Sequence, residues 1–210
     1  IYTLSLHDAL PISARWGHAF LSLGLKRGDR VLLFLDDTPA YPAAFFGAVR
    51  AGLVPLLINT LTTPELLQFY LSDAGAQVAV TDAEFCSRFN AEACKDTPLR
   101  TLIVVNGAAG GHAVAETRDA GEWLQGFRSE LDAADTHRNE MAFWMYSSGS
   151  TGRPKGIVHL QHDMAYSELA FARNVLKLKP GDICFSVPKI FFAYGFGNSI
   201  TFPFSVGAAT

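Results

Sequence analysis

Short apolar runs alternate with helix-like stretches along most of this chain. Runs at residues 31–35, 54–58, 78–81 and 102–105 have the length and the unbroken apolar character of strands that are buried on both faces. Because helical signals lie between these runs, successive strands are expected to be parallel and to be joined by helical crossovers. We therefore predict an α/β fold in which layered, parallel-rich sheets are flanked by helices.

Capping residues and glycines mark where the predicted helices begin and end. Thr63, Pro64 and Glu65 combine an N-cap, a proline in the first turn and an acidic residue near the helix N-terminus. They predict a helix over residues 64–74 that ends before Gly75. Similar patterns predict helices at residues 16–23, 39–51, 83–93, 122–131 and 164–176, and further strands at residues 141–146, 157–160 and 183–187.

The charge and hydropathy of the 210-residue chain exclude several classes of function. Its net charge is −3, from 17 basic and 20 acidic residues without a long run of either sign, so we expect no nucleic-acid partner and no attraction to an anionic membrane. The longest apolar stretch, residues 190–206, is interrupted by glycines and a proline, so no membrane-spanning helix is predicted. The spacing of Cys86, Cys94 and Cys184 is typical of reduced cytoplasmic thiols and not of disulfides or a zinc site.

Residues 146–156 read Tyr-Ser-Ser-Gly-Ser-Thr-Gly-Arg-Pro-Lys-Gly and directly continue a predicted strand. Glycines let the backbone turn its N–H groups toward an anion, hydroxyl groups add donors, and basic side chains supply positive charge. These residues are Gly149 and Gly152, then Ser147, Ser148, Ser150 and Thr151, and finally Arg153 and Lys155. The segment from Ser147 to Gly156, which we name the Ser/Gly loop, is therefore predicted to bind phosphate at the carboxyl end of a strand.

Three other interpretations of the Ser/Gly loop agree less well with its residues. A Walker A loop requires Gly-Lys followed by Ser or Thr, whereas Gly152 is followed by Arg153, Pro154 and Lys155. A nucleophile elbow requires a serine with glycine two residues away on both sides, and no serine in the loop has this spacing. A flexible linker does not explain the Pro-Lys-Gly end between two apolar strands.

Residues 146–156 resemble the signature phosphate loop of the adenylate-forming superfamily, which comprises acyl-CoA synthetases, peptide-synthetase adenylation domains and luciferases. The likeness extends over residues 15–210, including Gly28-Asp29-Arg30-Val31 and residues 45–58, which resemble the early core motifs of the family. It implies that residues 14–210 are the N-terminal part of an AMP-binding (adenylation) domain whose later motifs are missing, so we expect a truncated and inactive chain. Residues 1–13 look like translated sequencing adapter, and we predict a non-native leader.

The resemblance implies a two-step reaction. A carboxylate attacks the α-phosphate of Mg-ATP to give acyl-AMP and pyrophosphate, and the thiol of coenzyme A then displaces AMP. It also implies that the ATP phosphates are held by Ser147, Ser148, Gly149, Ser150, Thr151, Gly152 and Lys155. Lys155 and Thr151 would be the catalytic residues, with Lys155 neutralising charge as pyrophosphate leaves. The sites for adenine, Mg²⁺ and CoA are expected outside this chain, with no metal ligand within it.

The segment at residues 189–198 is dense in aromatic residues and glycine. Taken alone, its residues favour a buried apolar helix. Its Phe-Phe-Ala-Tyr-Gly sequence resembles the acid-binding motif of the benzoate:CoA ligase branch, which implies that Ala193, Tyr194 and Gly195 contribute to a flat slot for an aryl ring. Because adjacent residues cannot both face one cavity, at least one of Phe191 and Phe192 is expected in the core.

The leading hypothesis is thus a cytoplasmic ligase that joins an aryl acid, benzoate or a close analogue, to CoA with ATP and Mg²⁺. The alternatives are another acyl-CoA synthetase, an adenylation domain that loads a carrier protein, or a non-catalytic nucleotide-binding module. The expected partners are small molecules, and the sequence makes no prediction of the oligomeric state. His159 and His162 are interpreted as structural, and Asp36-Asp37 as a turn or helix cap.

Overall fold

The computed structural model describes residues 5–108, 115–147 and 152–210. Within these residues seven strands form one sheet. They are β1 Arg30–Phe34, β2 Val54–Leu57, β3 Val78–Asp82, β4 Thr101–Val105, β5 Glu116–Asp119, β6 Met141–Ser147 and β7 Lys155–Leu160. The spatial order is β5-β4-β3-β1-β2-β6-β7, and all neighbours are parallel except β6 and β7. The predicted α/β fold with a parallel-rich sheet is confirmed.

Helices cover both faces of the sheet. They are α1 Leu6–Ser22, α2 Ala40–Arg50, α3 Pro64–Ala74, α4 Ala120–Trp123, α5 Gln161–Ser167, α6 Ala193–Phe196 and α7 Phe202–Val206. Helix α5 continues with π-type hydrogen bonding over Glu168–Leu176, and α6 does so over Gly197–Thr201. Short 3₁₀ turns occupy Ala83–Arg88 and Leu124–Gly126. None of the helices in the described part of the chain is long and apolar enough to cross a bilayer.

The alternation of side chains along each strand divides the core into two layers. In β1, Val31 and Leu33 face the layer that contains α1 and α2, whereas Leu32 and Phe34 face the layer that contains α3. All four side chains are fully buried, which explains why residues 31–34 of the strand are all apolar. The unbroken apolar runs in the sequence therefore follow from coverage of both faces.

The predicted boundaries are most accurate where capping chemistry is local. Helix α3 spans the predicted residues 64–74, with Thr63 Oγ1 accepting a hydrogen bond from the Leu66 N–H at 3.4 Å. Gly75 ends it in the left-handed region, at φ 61°. The central strands also agree with the predicted runs within one residue at each end.

Several predicted elements are wrong. The helix expected through residue 93 stops as a 3₁₀ turn at Arg88, and the one expected at residues 122–131 is reduced to α4 and a 3₁₀ turn. The strand expected at residues 183–187 forms only one bridge, between Ile183 and Ala209, because no strand lies beside it in the described chain. Its apolar side chains are exposed as a result.

Three further features of the fold were not predicted from the sequence. Strand β5 has the polar sequence Glu-Thr-Arg-Asp, for which no regular element was predicted, and it pairs in parallel with β4 at the edge of the sheet. Strand β7 returns antiparallel to β6 because the connection is too short for a crossover. Helix α1 begins at Leu6, ten residues before the predicted start and inside the segment interpreted as a leader. The non-native origin of residues 1–13 stays a prediction.

Candidate active site

The Ser/Gly loop lies at the tip of the β6–β7 hairpin. Ser147, the last residue of β6, is paired with Lys155, the first residue of β7. Both residues are exposed, and Gly152 adopts the left-handed backbone conformation at φ 86°. The predicted phosphate-binding residues Ser148, Gly149, Ser150 and Thr151 lie outside the described residues. The two ends of the loop that are described thus bring one hydroxyl and one ammonium group to the same end of the hairpin.

This end of the hairpin coincides with the carboxyl edge of the parallel sheet. Strand β6 runs parallel to β2, which is parallel to β1, so the Ser/Gly loop leaves the sheet at the edge where the central strands end. In open α/β sheets, ligands bind in the crevice beyond this edge. The topology therefore gives the loop the location that the sequence predicted.

Tyr146 fixes the strand that leads into the loop. Its hydroxyl donates a hydrogen bond to Asp73 Oδ2 at 2.8 Å, and its ring lies 4.5 Å from the ring of Tyr70. Burial raises the pKa of the Tyr146 phenol, and the hydrogen bond to Asp73 raises it further. Tyr146 is thus a neutral donor that joins β6 to α3 immediately before Ser147.

The predicted acid-binding residues lie on the short helix α6. Ala193 and Tyr194 are exposed, whereas Gly195 is buried against the preceding backbone. A Cβ at position 195 would lie 2.1 Å from the carbonyl oxygen of Lys189 and 2.5 Å from that of Pro188. Close packing of the chain on itself therefore requires glycine here, independently of any ligand.

Aromatic contacts hold α6 beside the hairpin. The ring of Phe196 lies 4.9 Å from that of Phe45 on α2 and 4.8 Å from that of Phe143 on β6. Phe191 is buried at 7% exposure and Phe192 is 51% exposed, which confirms that at least one of the pair belongs to the core. The segment predicted to bind the acid and the strand that leads into the Ser/Gly loop are therefore direct neighbours.

A cavity of about 370 Å³ lies between the hairpin and α6. It is lined by Phe143, Met145, His159, Asp163, Met164, Tyr166, Ser167, Ala193, Phe196, Gly197, Thr201 and Phe202. Of the three predicted acid-binding residues, Ala193 contributes to this lining. Met145 precedes Ser147 by two residues, so the cavity begins roughly 7 Å along the strand from the start of the Ser/Gly loop. Its size and apolar walls are suited to a small aromatic molecule.

His159 contributes a polar wall that the sequence analysis did not identify. Its ring stacks on Phe143, with centroids 4.4 Å apart and planes 10° apart, and its Nδ1 lies 3.4 Å from Asp163 Oδ2. Asp163 Oδ1 lies 3.2 Å from His162 Nε2, and Asp163 Oδ2 accepts the Leu160 N–H at 3.0 Å. The register of a short hairpin was the signal that could have placed His159 opposite Phe143.

The described residues contain no cluster that is suited to hold a metal ion. In residues 5–108, 115–147 and 152–210, no group of three or more His, Cys, Asp or Glu side chains has an arrangement that could hold a metal ion. His159 and His162 instead share one carboxylate at the start of α5. Their arrangement is consistent with an ordering role for Asp163 at the helix N-terminus.

The family follows from a match over almost the whole chain. The model of the AMP-binding enzyme family matches residues 2–210. The chain belongs to the AMP-binding enzyme family. Among curated proteins it is 40% identical to benzoate–CoA ligase of Thauera aromatica, over 89% of this chain and 34% of that protein. It is 36% identical to 4-hydroxybenzoate–CoA/benzoate–CoA ligase of Rhodopseudomonas palustris, over 98% of this chain and 36% of that protein.

Solved structures of AMP-binding enzymes have the same architecture. The chain superposes on the anthranilate CoA ligase AuaEII in complex with anthranoyl-AMP with a TM-score of 0.90 and 30% identity. The superposition covers 96% of this chain and 38% of that one. The chain thus spans about a third of the length of the AMP-binding relatives it matches, and these relatives act on different aryl acids.

Proposed function

We propose that the protein containing this chain is an AMP-forming ligase that joins benzoate, or a closely related aryl acid, to coenzyme A. The observation that carries the proposal is the adjacency of the Ser/Gly loop and an aromatic-walled cavity at the carboxyl edge of the sheet. The loop that binds the phosphates and the cavity that binds the aryl acid must be adjacent if the carboxylate is to attack the α-phosphate of ATP. The aryl-acid ligases among the relatives support this assignment.

The proposed first step forms a carboxylate–phosphorus bond and breaks the bond between the α-phosphorus and pyrophosphate. Ser147, Ser148, Gly149, Ser150, Thr151 and Gly152 are proposed to hold the ATP phosphates with their N–H and O–H donors. Lys155 is proposed to stabilise the charge that develops on pyrophosphate as it leaves, and Thr151 to donate to a phosphate oxygen. In the second step the CoA thiol attacks the acyl carbon, and AMP leaves.

The acid is proposed to bind against α6. Ala193 is a small residue in the lining of the cavity, and Tyr194, the next residue of α6, has an exposed side chain. Gly195 is proposed to contribute by allowing the backbone of α6 to fold tightly enough to present these two side chains. Phe143 and Phe196 provide flat apolar walls, which favours an aryl ring over a flexible aliphatic chain.

We further propose a cytoplasmic location, where ATP and CoA are available and Cys86, Cys94 and Cys184 stay reduced. Mg²⁺ is expected to arrive with ATP as part of the substrate complex. The described residues offer no carboxylate cluster for this ion, and we assign no residue and no step to it. The proposed partners are therefore ATP, CoA and the aryl acid.

The proposal is tested with the protein expressed from its complete reading frame. Acid-dependent exchange of labelled pyrophosphate into ATP is measured with benzoate, hydroxybenzoates, anthranilate and a medium-chain fatty acid. We expect the highest rate with an aryl acid. A preference for the fatty acid would indicate another acyl-CoA synthetase, and no exchange with any acid would indicate a nucleotide-binding module.

A substitution at the Ser/Gly loop links the activity to this site. Lys155→Met is expected to reduce pyrophosphate exchange by about 100-fold, the effect of removing one preorganised donor from a developing charge. The matched control is Lys179→Met, because Lys179 is also an exposed lysine but lies on the turn after the π-helical segment. Equal rates for the two variants would contradict the assigned role of Lys155.

A further inference from the structure

Asp36 and Asp37 immediately follow β1 and Leu35, and their side chains do not cap α2. The N-cap residue of α2 is Pro39, whose side chain makes no capping hydrogen bond. The two carboxylates instead contact a segment 153 residues further along the chain: Asp37 Oδ1 accepts the Ile190 N–H at 3.1 Å, and Asp36 Oδ1 accepts a hydrogen bond from Lys189 Nζ. The interpretation of Asp36-Asp37 as part of a turn agrees with the bend and turn at residues 37–39, but the alternative of a helix cap is wrong, since these side chains join two distant segments of the chain.

The loop that carries Asp36 and Asp37 is itself held by the ends of β3 and β4. The Asp36 N–H donates to Asp82 Oδ2 at 2.7 Å, and Asn106 Nδ2 donates to Asp82 Oδ1 at 2.5 Å. Asp82 is almost fully buried, at 3% exposure. Asn106 also donates to Thr38 Oγ1 at 3.2 Å. The carboxyl ends of three parallel strands thus provide a rigid base for the two aspartates.

The segment that they contact leads directly into α6. The Phe192 N–H donates to the Lys189 carbonyl at 3.0 Å, which closes a turn, and the Phe196 N–H donates to the Phe192 carbonyl at 2.8 Å. The Cα of Gly195 packs against the same Lys189 carbonyl so closely that a Cβ could not be accommodated. A shift of the backbone at Lys189 or Ile190 must therefore move α6 as well.

We propose that Asp37 and Lys189 are positioning residues that hold α6, and with it Ala193 and Tyr194, in register with the Ser/Gly loop. The inference rests on the proposed function, because it identifies α6 with the acid-binding segment. Phe196 anchors the far end of α6 in the aromatic core, and the Asp37 hydrogen bond to Ile190 anchors the near end. Ala193, which lines the cavity, and Tyr194 lie between these anchors.

Their contribution is local and not a general stabilisation of the fold. Lys189 is 45% exposed and Asp36 is 38% exposed, and ion pairs at such exposure add little to global stability. Asp37 is less exposed, at 29%, and its carboxylate satisfies a backbone N–H of a residue that is 5% exposed. Loss of that acceptor is therefore expected to disturb the turn before α6 more than the sheet.

The kinetic test uses the enzyme expressed from its complete reading frame. Asp37→Ala is expected to raise the KM for benzoate about tenfold. The KM for ATP is expected to stay within about twofold of the wild-type value, because the Ser/Gly loop that is proposed to bind ATP lies on the hairpin. Asp37→Asn keeps an acceptor for the Ile190 N–H and is expected to stay within about threefold of wild type. Lys189→Met keeps the backbone hydrogen bond between Asp37 and Ile190. Its KM for benzoate is expected to lie between those of Asp37→Asn and Asp37→Ala.

The matched control is Glu116→Gln, which removes an exposed ion pair with Arg118 at the edge strand β5. It is expected to leave both KM values unchanged. Equal increases in the KM for benzoate and ATP in Asp37→Ala, or no rescue by Asp37→Asn, would overturn the proposal. If Asp37→Ala does not fold, the KM values for benzoate and for ATP are compared in Lys189→Met instead.

A second measurement separates this inference from the proposed function. Amide hydrogen exchange at Phe192 and Phe196 is expected to be about tenfold faster in Asp37→Ala than in wild type, with no change in Glu116→Gln. Unchanged exchange would overturn the positioning role even if the enzyme is an aryl acid ligase. Absence of acid-dependent activity in the wild type would refute the proposed function, while the exchange rates would still decide whether Asp37 holds α6.

Discussion

The hydroxyl of Tyr146 donates a hydrogen bond to Asp73 on α3, and this contact joins the strand before the Ser/Gly loop to the helix layer that contains α3. The two residues are 73 positions apart. The ring of Tyr146 also packs on Tyr70, so both its polar and its apolar parts are fixed. The start of the Ser/Gly loop is thereby anchored independently of any ligand.

Removal of this hydroxyl tests the anchor. Tyr146→Phe keeps the ring contacts but loses the hydrogen bond to Asp73, so we expect the free energy of unfolding to fall by about 1 kcal/mol. Urea denaturation measures the change. Tyr166→Phe is the control, because Tyr166 is 73% exposed. A decrease of the same size in both variants would mean that the Asp73 contact does not anchor the strand.

Gly195→Ala tests the packing of α6 on its own approach segment. The added Cβ would meet two carbonyl oxygens within 2.5 Å, so we expect a loss of ~2 kcal/mol in the free energy of unfolding or a displaced α6. The KM for the acid should rise in the same variant. Gly181→Ala is the control, since a Cβ there meets nothing within 4 Å. If both variants match wild type in unfolding and KM, the close approach at Gly195 is not required.

Gly152→Ala tests the backbone conformation of the Ser/Gly loop. Gly152 has φ 86°, a region that costs an L-residue about 1–2 kcal/mol. No atom of the described residues lies within 4 Å of the added Cβ, so strain is the expected effect. We expect pyrophosphate exchange to fall while the global free energy of unfolding changes little, because the loop can relax locally. Gly126→Ala, which also meets no atom, serves as control. Unchanged exchange in Gly152→Ala would argue against a left-handed residue in the active loop.

The carboxylates of Asp36 and Asp37 are expected to titrate at different pH values. The hydrogen bond from Lys189 lowers the pKa of Asp36, whereas burial raises the pKa of Asp37. Carboxyl ¹³C shifts followed against pH should therefore show Asp37 protonating first as pH falls. Lys189→Met should raise the pKa of Asp36 toward its ordinary value. Protonation of Asp36 before Asp37 would contradict the contacts described here.

The same contacts set the sign of the pH dependence of stability. The pKa of Asp36 is lower in the folded state, so its contribution is complete above the unfolded value of about 3.9 and is lost as pH falls through the folded pKa. The pKa of Lys189 is raised by Asp36, so its contribution is complete below about 10.4 and is lost as pH rises through the folded pKa. The melting temperatures of wild type and Lys189→Met, measured by thermal denaturation, should converge at low pH, below the folded pKa of Asp36. They should also converge at high pH, above the folded pKa of Lys189. A constant difference at all pH values would contradict this ion pair.

Much of the candidate site could be predicted because its signals are local. The Ser/Gly loop and the apolar strand before it lie within 16 consecutive residues, 141–156. Gly75 and Thr63 likewise define α3 through contacts within one turn. Strand β5 and the false strand at residues 183–187 show the limit, because strand formation depends on a neighbour that local sequence does not specify.

The amino-acid sequence by itself determined the α/β alternation, the caps of α3 and the chemical character of the Ser/Gly loop, since each depends on residues close together in the chain. Only the tertiary structure decided that Asp37 meets Ile190, that His159 stacks on Phe143, and that Gly195 packs on Lys189. The first of these contacts joins residues 153 positions apart, between the carboxyl end of β1 and a segment that belongs to no strand of the sheet. Long-range geometry of this kind depends on which strands become neighbours, and no local pattern encodes it.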